Sequence, residues 1–331
     1  TIYRAGVTSA LIEALMDAAN KGKEVVVIVE LKARFDEEQN IDWAQQLEQA
    51  GAQVVYGVMG LKTHAKLALV IRRENGAFRN YAHLGTGNYH PATTKIYTDF
   101  GILTAHPQIT NEVSEVFMHL TSLTKPKKLE HLWLAPFTLH RILNEIRIAR
   151  AGRPARIVAK MNSLIDESVI RALYLASASG VKIELIVRGA CALRPGVPGL
   201  SENIRVRSII GRFLEHERIY YFRNDLKHDL YISSADWMAR NLFRRIEVAC
   251  PVLDPALKKR VIEEGLKYYL KDNTNSWELQ PNGSYKRRKI RKKQSAFGAQ
   301  QCLAKTYDAA LQKELIEDVK PAPESLSSSI D

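Results

Sequence analysis

The sequence predicts an α/β fold that is built twice in tandem. Helical and strand-like periods alternate along the chain, which is typical of sheets flanked by helices. Residues 22–29 are similar to 180–187, and residues 54–59 are similar to 206–211, in the same order. Because matched segments lie about 150 residues apart, the repeat indicates duplicated domains and not a solenoid.

In the first half, residues 7–20 have a helical period that ends at Gly22. The segment 24–31 is almost entirely apolar, as expected of a strand covered on both faces. A helix over 41–51 and a strand over 54–56 follow.

The rest of the first half reads as a hairpin and a helix. Apolar runs over 64–72 and 79–84 flank Asn75-Gly76, a strong signal for a two-residue hairpin turn. Residues 109–123 have a helical period. The Pro- and Lys-rich stretch 124–128 is predicted to be a linker.

The second half repeats this order. A helix over 137–150, a strand over 155–160 and a helix over 165–179 are followed by strands near 181–187, 204–210, 217–222 and 229–233. A last helix runs to about Leu270, with Asp254 as its N-cap and Pro255 at its first position. Beyond residue 285 the chain becomes basic and then polar, and we expect a disordered tail over 286–331.

Composition narrows the class of partner. The 331 residues include 46% hydrophobic ones, enough for about two globular domains, and the net charge of +12 favours a polyanionic partner. Seven cations lie in 286–293, which could hold a polyphosphate or a nucleic acid or could be a solvated tail.

Three widely spaced cysteines indicate neither disulfides nor a zinc site, and we find no signal peptide or membrane-spanning segment. We therefore expect a cytoplasmic protein, with peripheral membrane association left open.

Two histidines occupy matching places in the repeat. His64 stands two residues before Lys66, and His216 stands two residues before Arg218, each at the start of an apolar run. Side chains two apart on a strand share a face, so each histidine should lie beside a fixed positive charge. Such a pair suits chemistry on phosphate.

Duplicated α/β domains that each bring one His-x-cation strand to a shared cleft resemble the phospholipase D superfamily. Longer segments resemble the polyphosphate kinase family in more detail: 30–38, 60–66, 83–89, 187–189 and 214–218. The resemblance covers residues 1–285 and implies the two C-terminal catalytic domains of that enzyme. We expect phospholipase D-like domains over 1–130 and 131–285, in a piece of a longer protein that forms a homo-oligomer.

This resemblance implies a role for each candidate residue. His64 would be the phosphohistidine nucleophile, and His216 would lie at the nucleotide site, either in acid–base chemistry or in stabilising charge. Further contacts to the nucleotide or its phosphates would come from Lys66, Asn88, Tyr97 and Arg188, with Asn88 orienting the His64 side. The glycines beside Asn88, in 85–88, would let backbone N–H groups approach an anion.

The family's magnesium site matches two arginines of this sequence, Arg4 and Arg34. A guanidinium has no lone pair to give a metal, so we expect both to bind phosphates that Mg²⁺ also binds. The acidic run 36–38 could help hold Mg²⁺ or could be a solvated loop.

The resemblance implies reversible transfer of phosphate from ATP to inorganic polyphosphate, with ATP, ADP and polyphosphate as partners, Mg²⁺ as cofactor and no specific nucleic acid. Two alternatives stay open. A phospholipase D-type phosphodiesterase or nuclease normally has Lys in both motifs and a nearby Asp, whereas here Arg218 replaces one Lys and no Asp follows at short interval. A non-catalytic polyanion-binding module would not need both histidines and their arginines.

Overall fold

The computed structural model describes residues 1–33, 36–122, 128–135 and 138–318. Arg34, most of the predicted linker at 124–128 and the polar end of the predicted tail, from residue 319, lie outside the described residues. Within these ranges, no helix has the length and apolar character needed to cross a membrane.

The first half alternates helices and strands. Its elements are α1 Ala10–Asn20, β1 Val26–Ile28, α2 Glu37–Gln49, β2 Gln53–Val55, β3 Lys62–Thr63, β4 Lys66–Glu74, β5 Ala77–Gly85, α3 Pro91–Thr94, β6 Tyr97–Thr98, β7 Gly101–Thr104 and α4 Pro107–Ser122.

Local sequence signals explain several of these boundaries. The Ser9 side chain accepts a hydrogen bond from the backbone N–H of Ile12 and so caps α1. Asn75 and Gly76 both have positive φ, 50° and 81°, which gives the tight turn between β4 and β5 that the dipeptide predicts. The strand predicted over 24–31 is shorter, since only Val26–Ile28 pairs with β2.

The second half contains β8 Trp133–Leu134, α5 Thr138–Arg150, β9 Arg156–Met161, α6 Glu167–Ala178, β10 Lys182–Val187, β11 Ile204–Ile209, β12 Leu214–Glu215, β13 Arg218–Phe222, β14 Asp229–Ser233, α7 Ala239–Phe243, β15 Arg245–Ile246, β16 Val248–Pro251, α8 Pro255–Arg260, a π-helical segment Val261–Lys267, α9 Tyr268–Lys271, β17 Ser276–Leu279, β18 Tyr285–Arg287 and α10 Ala299–Asp318.

Nine of these strands form one sheet in the order β18-β17-β11-β10-β9-β13-β14-β16-β8. Strands β9, β10 and β11 are parallel, and the pairs on either side of them are antiparallel. In the first half, β4, β5 and β7 form a smaller antiparallel sheet. The structure is thus the mixed α/β arrangement that the sequence predicts.

The large sheet is covered on both faces. Alternation along β9 sends Ile157, Ala159 and Met161 into a core with α5 and α6. Val158, between them, faces a second core that also contains Leu67 of β4 and α4 residues of the first half. The two halves therefore share a hydrophobic core, and their relative position is fixed by its packing.

The structure differs from the sequence prediction after residue 285. Residues expected to be disordered instead form β18, which pairs with β17, and the helix α10. Gln300, near the start of α10, is buried against the strand that precedes His216. Backbone pairing and this contact order a segment whose composition alone suggests a solvated tail.

Candidate active site

His64 lies between β3 and β4, where the first half meets the second. β3 pairs in parallel with β15, and the backbone N–H groups of His64 and Ala65 both donate to the Ile246 carbonyl at 3.0 Å. The register of this short pairing places the His64 ring beside Glu247, whose Oε2 is 2.9 Å from Nδ1. Both side chains are buried.

The Glu247 carboxylate is held by several donors. Asn241 Nδ2 donates to Oε1 at 2.7 Å, and the Ser234 hydroxyl donates to Oε2. Burial raises the pKa of Glu247 to about 7, while nearby Lys66 opposes this shift. The donor set fits an ionised carboxylate that accepts the Nδ1–H of His64.

The imidazole of His64 is held in its neutral form. Burial, then the positive charges of Lys66, Arg245 and Arg218, lower its pKa well below the usual value. With Nδ1–H directed at Glu247, the lone pair is on Nε2. The ring therefore presents an unprotonated Nε2.

Lys66 and Tyr3 complete the surroundings of this ring. The Lys66 ammonium is buried, donates to the His64 carbonyl and lies 5.2 Å from the Tyr3 ring centroid. Tyr3 meets the His64 ring edge to face, with centroids 4.7 Å apart. Burial lowers the pKa of Lys66 well below its usual value, with Glu247 opposing.

His216 occupies the symmetrical position between β12 and β13. β12 pairs in parallel with β6 of the first half, which brings Asp99 to 2.9 Å from His216 Nδ1. Tyr97 lies on the same short strand, with its ring centroid 5.0 Å from that of His216. Burial and Arg218 lower the pKa of His216 to about 4, while Asp99 opposes the shift.

Arg218 and Arg188 belong to one hydrogen-bonded network around His216. Arg218 forms an ion pair with Asp236 at 3.0 Å, and its Nη1 lies 3.2 Å from His216 Nε2. Arg188 donates from Nε and Nη2 to Asn162 Oδ1 at 2.9 and 2.8 Å. Asn162 in turn donates to the His216 carbonyl and to Asp236.

The glycine turn after β5 has a function that the sequence did not predict. A Cβ on Gly87 would clash with the carboxylate of Asp99, and the Thr86 hydroxyl donates to Asp99 Oδ1 at 2.6 Å. We predicted that these glycines admit an anion to the backbone. In the structure, Gly87 makes room for the carboxylate that orients His216.

The other predicted residues are placed as follows. Arg4 Nε forms an ion pair with Asp36 at 2.9 Å, so one member of the acidic run binds an arginine. Asn88 was predicted to orient the His64 side, but Glu247 holds the ring Nδ1, and Asn88 Oδ1 is buried without a partner among the described residues. Arg34 cannot be placed, because it lies outside the described ranges.

Sequence reasoning missed both orienting carboxylates. The sequence has no Asp at a short interval after either histidine, and the carboxylates that contact the rings are distant in the chain, since Glu247 is 183 residues after His64 and Asp99 is 117 residues before His216. The small polar run 233–236, which matches 85–88 in the repeat, does end in an acid, but Asp236 pairs with Arg218 and not with a histidine.

The described residues do not form a metal site of their own. No group of three or more His, Cys, Asp or Glu side chains among them is placed to hold a metal ion. Since arginine cannot ligate a metal, the residues around Arg4 fit a magnesium ion only if it arrives on the phosphates of a substrate.

Both halves match family models. Residues 1–126 match polyphosphate kinase C-terminal domain 1, and residues 132–300 match polyphosphate kinase C-terminal domain 2.

Individual relatives agree with these models. The chain is 63% identical over 290 residues to a polyphosphate kinase of Neisseria meningitidis serogroup B, covering 86% of this chain and 42% of that protein. For a polyphosphate kinase of Burkholderia lata the identity is 58% over 301 residues, covering 88% and 44%. The crystal structure of polyphosphate kinase from Porphyromonas gingivalis superposes with a TM-score of 0.85 at 37% identity, covering 94% of this chain and 48% of that one.

The chain spans less than half the length of these relatives. Its two tandem α/β halves, which contain His64 and His216 respectively, correspond to successive domains of a single family. The chain belongs to the polyphosphate kinase family and carries its C-terminal domains 1 and 2.

Proposed function

We propose that this chain catalyses phosphoryl transfer between ATP and inorganic polyphosphate through a phosphohistidine at His64. The observation that carries the proposal is the His64–Glu247 pair: a buried, neutral imidazole whose Nδ1 is bound, which leaves Nε2 as nucleophile. Membership of the polyphosphate kinase family supplies the substrates.

In the first step, the Nε2 lone pair of His64 attacks the terminal phosphorus of ATP. The N–P bond forms as the bond from that phosphorus to the bridging oxygen breaks, and ADP leaves with the electron pair. The ring then carries a positive charge, which the Glu247 carboxylate stabilises through Nδ1–H. In the second step, a terminal oxygen of polyphosphate attacks the same phosphorus, and the electron pair of the N–P bond returns to Nε2. The reverse sequence makes ATP.

Phosphoryl transfer needs positioning and neutralisation of charge more than covalent assistance. Lys66 and Arg218 lie within the electrostatic reach of His64, and Arg188 lies in the network around His216. We propose that they bind phosphate oxygens, with Arg4 and Arg34 on the phosphates that carry Mg²⁺. His216 would contact the bridging oxygen, as a proton donor or through charge.

A phospholipase D-type phosphodiesterase would also form a covalent intermediate on histidine, but from a phosphodiester, and would use water as the acceptor. A test must therefore separate formation of the phosphoenzyme from its fate. Incubation of the chain with γ-labelled ATP and Mg²⁺ should place acid-labile, base-stable label on a peptide containing His64. Labelled polyphosphate should serve as a second donor, which bypasses the adenine site.

His64→Ala should abolish labelling from both donors, and His140→Ala, an exposed histidine of α5, should leave it intact. Chasing the labelled chain with polyphosphate should lengthen the acceptor. Release of the label as free phosphate at the same rate with and without polyphosphate would favour the hydrolase. Full labelling of His64→Ala would exclude the proposed nucleophile.

A further inference from the structure

The basic segment 286–293, here called the basic arm, leaves the large sheet on the side of the active site. β18 is antiparallel to β17, and β17 is antiparallel to β11, so β18 runs in the same direction as β9, β10 and β11. The residues after β9 and β10 include Asn162 and Arg188 of the site. The arm therefore emerges at the end of the sheet where β9, β10 and β11 also end, four strand spacings or roughly 19 Å from β9.

The arm is anchored on both sides. Arg288 Nη1 donates to the carbonyls of Leu270 and Asp272 at 3.3 and 3.1 Å. After the arm, the backbone N–H of Asn273 donates to the Phe297 carbonyl at 3.0 Å, and Gln300 Nε2 donates to the Phe213 carbonyl at 2.8 Å. Phe213 precedes β12, which ends next to His216. The arm is thus fixed relative to the site.

The arm carries a high density of positive charge. Seven of its eight residues are Lys or Arg, and in the described ranges no carboxylate forms an ion pair with any of them. Arg287 and Arg288 donate to backbone carbonyls, and Lys286, Lys289, Lys292 and Lys293 are exposed. Clustered like charges of this kind favour a polyanion that spans several of them.

We propose that the basic arm is a second binding site for long-chain inorganic polyphosphate, outside the site of transfer. The proposal rests on the proposed function, because the chain held there is the one extended or shortened at His64. The arm contains no aromatic residue. Since single-stranded nucleic acid is bound by stacking on aromatic rings as well as by charge, this composition favours polyphosphate. The arm would hold the chain between successive transfers, whereas a short oligophosphate at the catalytic residues would not reach it.

The test compares two fourfold variants. In one, Lys286, Lys289, Lys292 and Lys293 are changed to Gln, and in the matched control the same change is made at four other exposed lysines: Lys23, Lys182, Lys227 and Lys259. Binding of long-chain polyphosphate and of tripolyphosphate is titrated at several salt concentrations. In the arm variant, affinity for the long chain should fall about tenfold or more, and the slope of log affinity against log salt should decrease by about two to three. Tripolyphosphate affinity should stay unchanged, and the control variant should bind both as the parent chain does.

Equal losses in the arm and control variants would show a general effect of net charge and overturn the proposal. Unchanged long-chain affinity in the arm variant would also overturn it. If a homopolymeric single-stranded DNA binds the parent chain as tightly as polyphosphate and loses affinity in parallel, the arm is a nucleic-acid site and the proposal fails. Labelling of His64 is measured in the same samples. Its absence in the parent chain would count against the proposed function, whereas the binding titrations decide on the arm.

Discussion

The Nδ1 of His64, in the first half of the chain, lies 2.9 Å from a carboxylate oxygen of Glu247 in the second half. The relationship is reciprocal, because Nδ1 of His216 in the second half lies 2.9 Å from Asp99 in the first. Each half supplies one histidine and receives its orienting carboxylate from the other. Neither of these two histidines has its carboxylate partner in its own half, so the site depends on the core that the halves share.

The first prediction concerns Glu247. Glu247→Gln keeps the shape of the side chain but removes the charge that stabilises the phosphorylated ring, and an amide can favour the wrong tautomer of His64. Labelling of His64 should slow by about 10²-fold or more. Glu112→Gln is the control, because Glu112 accepts hydrogen bonds from the backbone and ring of His131 outside the site. Equal labelling rates in the two variants would remove Glu247 from the mechanism.

The second prediction concerns Gly87. Gly87→Ala should displace the Asp99 carboxylate and therefore release His216, although the change adds only a methyl group. The rate of transfer to polyphosphate should fall about as far as in Asp99→Asn. The double variant should be no slower than Asp99→Asn, because both changes act through one contact. Additive losses in this cycle would mean that Gly87 acts on something other than Asp99.

The third prediction is a pH dependence of stability due to His216. Its pKa is about 4 in the folded chain and 6.5 in the unfolded one, mainly because the ring is buried. Between pH 4 and pH 6.5 the ring is protonated in the unfolded chain and neutral in the folded chain. The contribution of His216 to the free energy of unfolding is therefore complete above pH 6.5 and is lost as the pH falls towards 4. The full loss is about 3 kcal/mol.

Urea unfolding of the parent chain and of His216→Gln at several pH values isolates this contribution. As the pH falls from neutral to the folded-state pKa, the parent chain should lose about 2 to 3 kcal/mol more of its free energy of unfolding than His216→Gln loses. Glu217 and Glu247, whose pKa values burial raises to about 7, act in the opposite direction, but they are present in both proteins. Parallel curves for the two proteins would show that His216 titrates normally in the folded state.

The fourth prediction concerns Arg188. Arg188→Ala removes both donors to Asn162 Oδ1 and a cation of the site, and transfer should fall by about 10²-fold. Arg188→Lys should recover little, because an ammonium cannot reproduce the two-pronged contact. Arg205→Ala, an exposed cation at the start of β11, is the control. Wild-type transfer by Arg188→Ala would make Arg188 a structural residue only.

Much of the fold follows from local signals in the sequence. The N-cap Asp254 and the Asn75-Gly76 turn are where the sequence predicts them, since both depend on backbone preferences of adjacent residues. The end of the chain was predicted less well. Gln300 and α10 are ordered by contacts with distant strands, and composition does not contain that information.

The residues of the candidate site also fall into two groups, those that local sequence predicts and those that only the tertiary structure reveals. The sequence alone identified the two site histidines and the cation two residues after each, because these pairs are spaced by the period of a strand. It also identified Arg188, because that residue lies in a motif that is continuous in the chain. Only the tertiary structure decided which acids orient the rings. Asp99 and Glu247 reach the opposite half through the pairings of β6 with β12 and of β3 with β15, and strand pairing between distant segments depends on packing of a shared core, which no local pattern encodes.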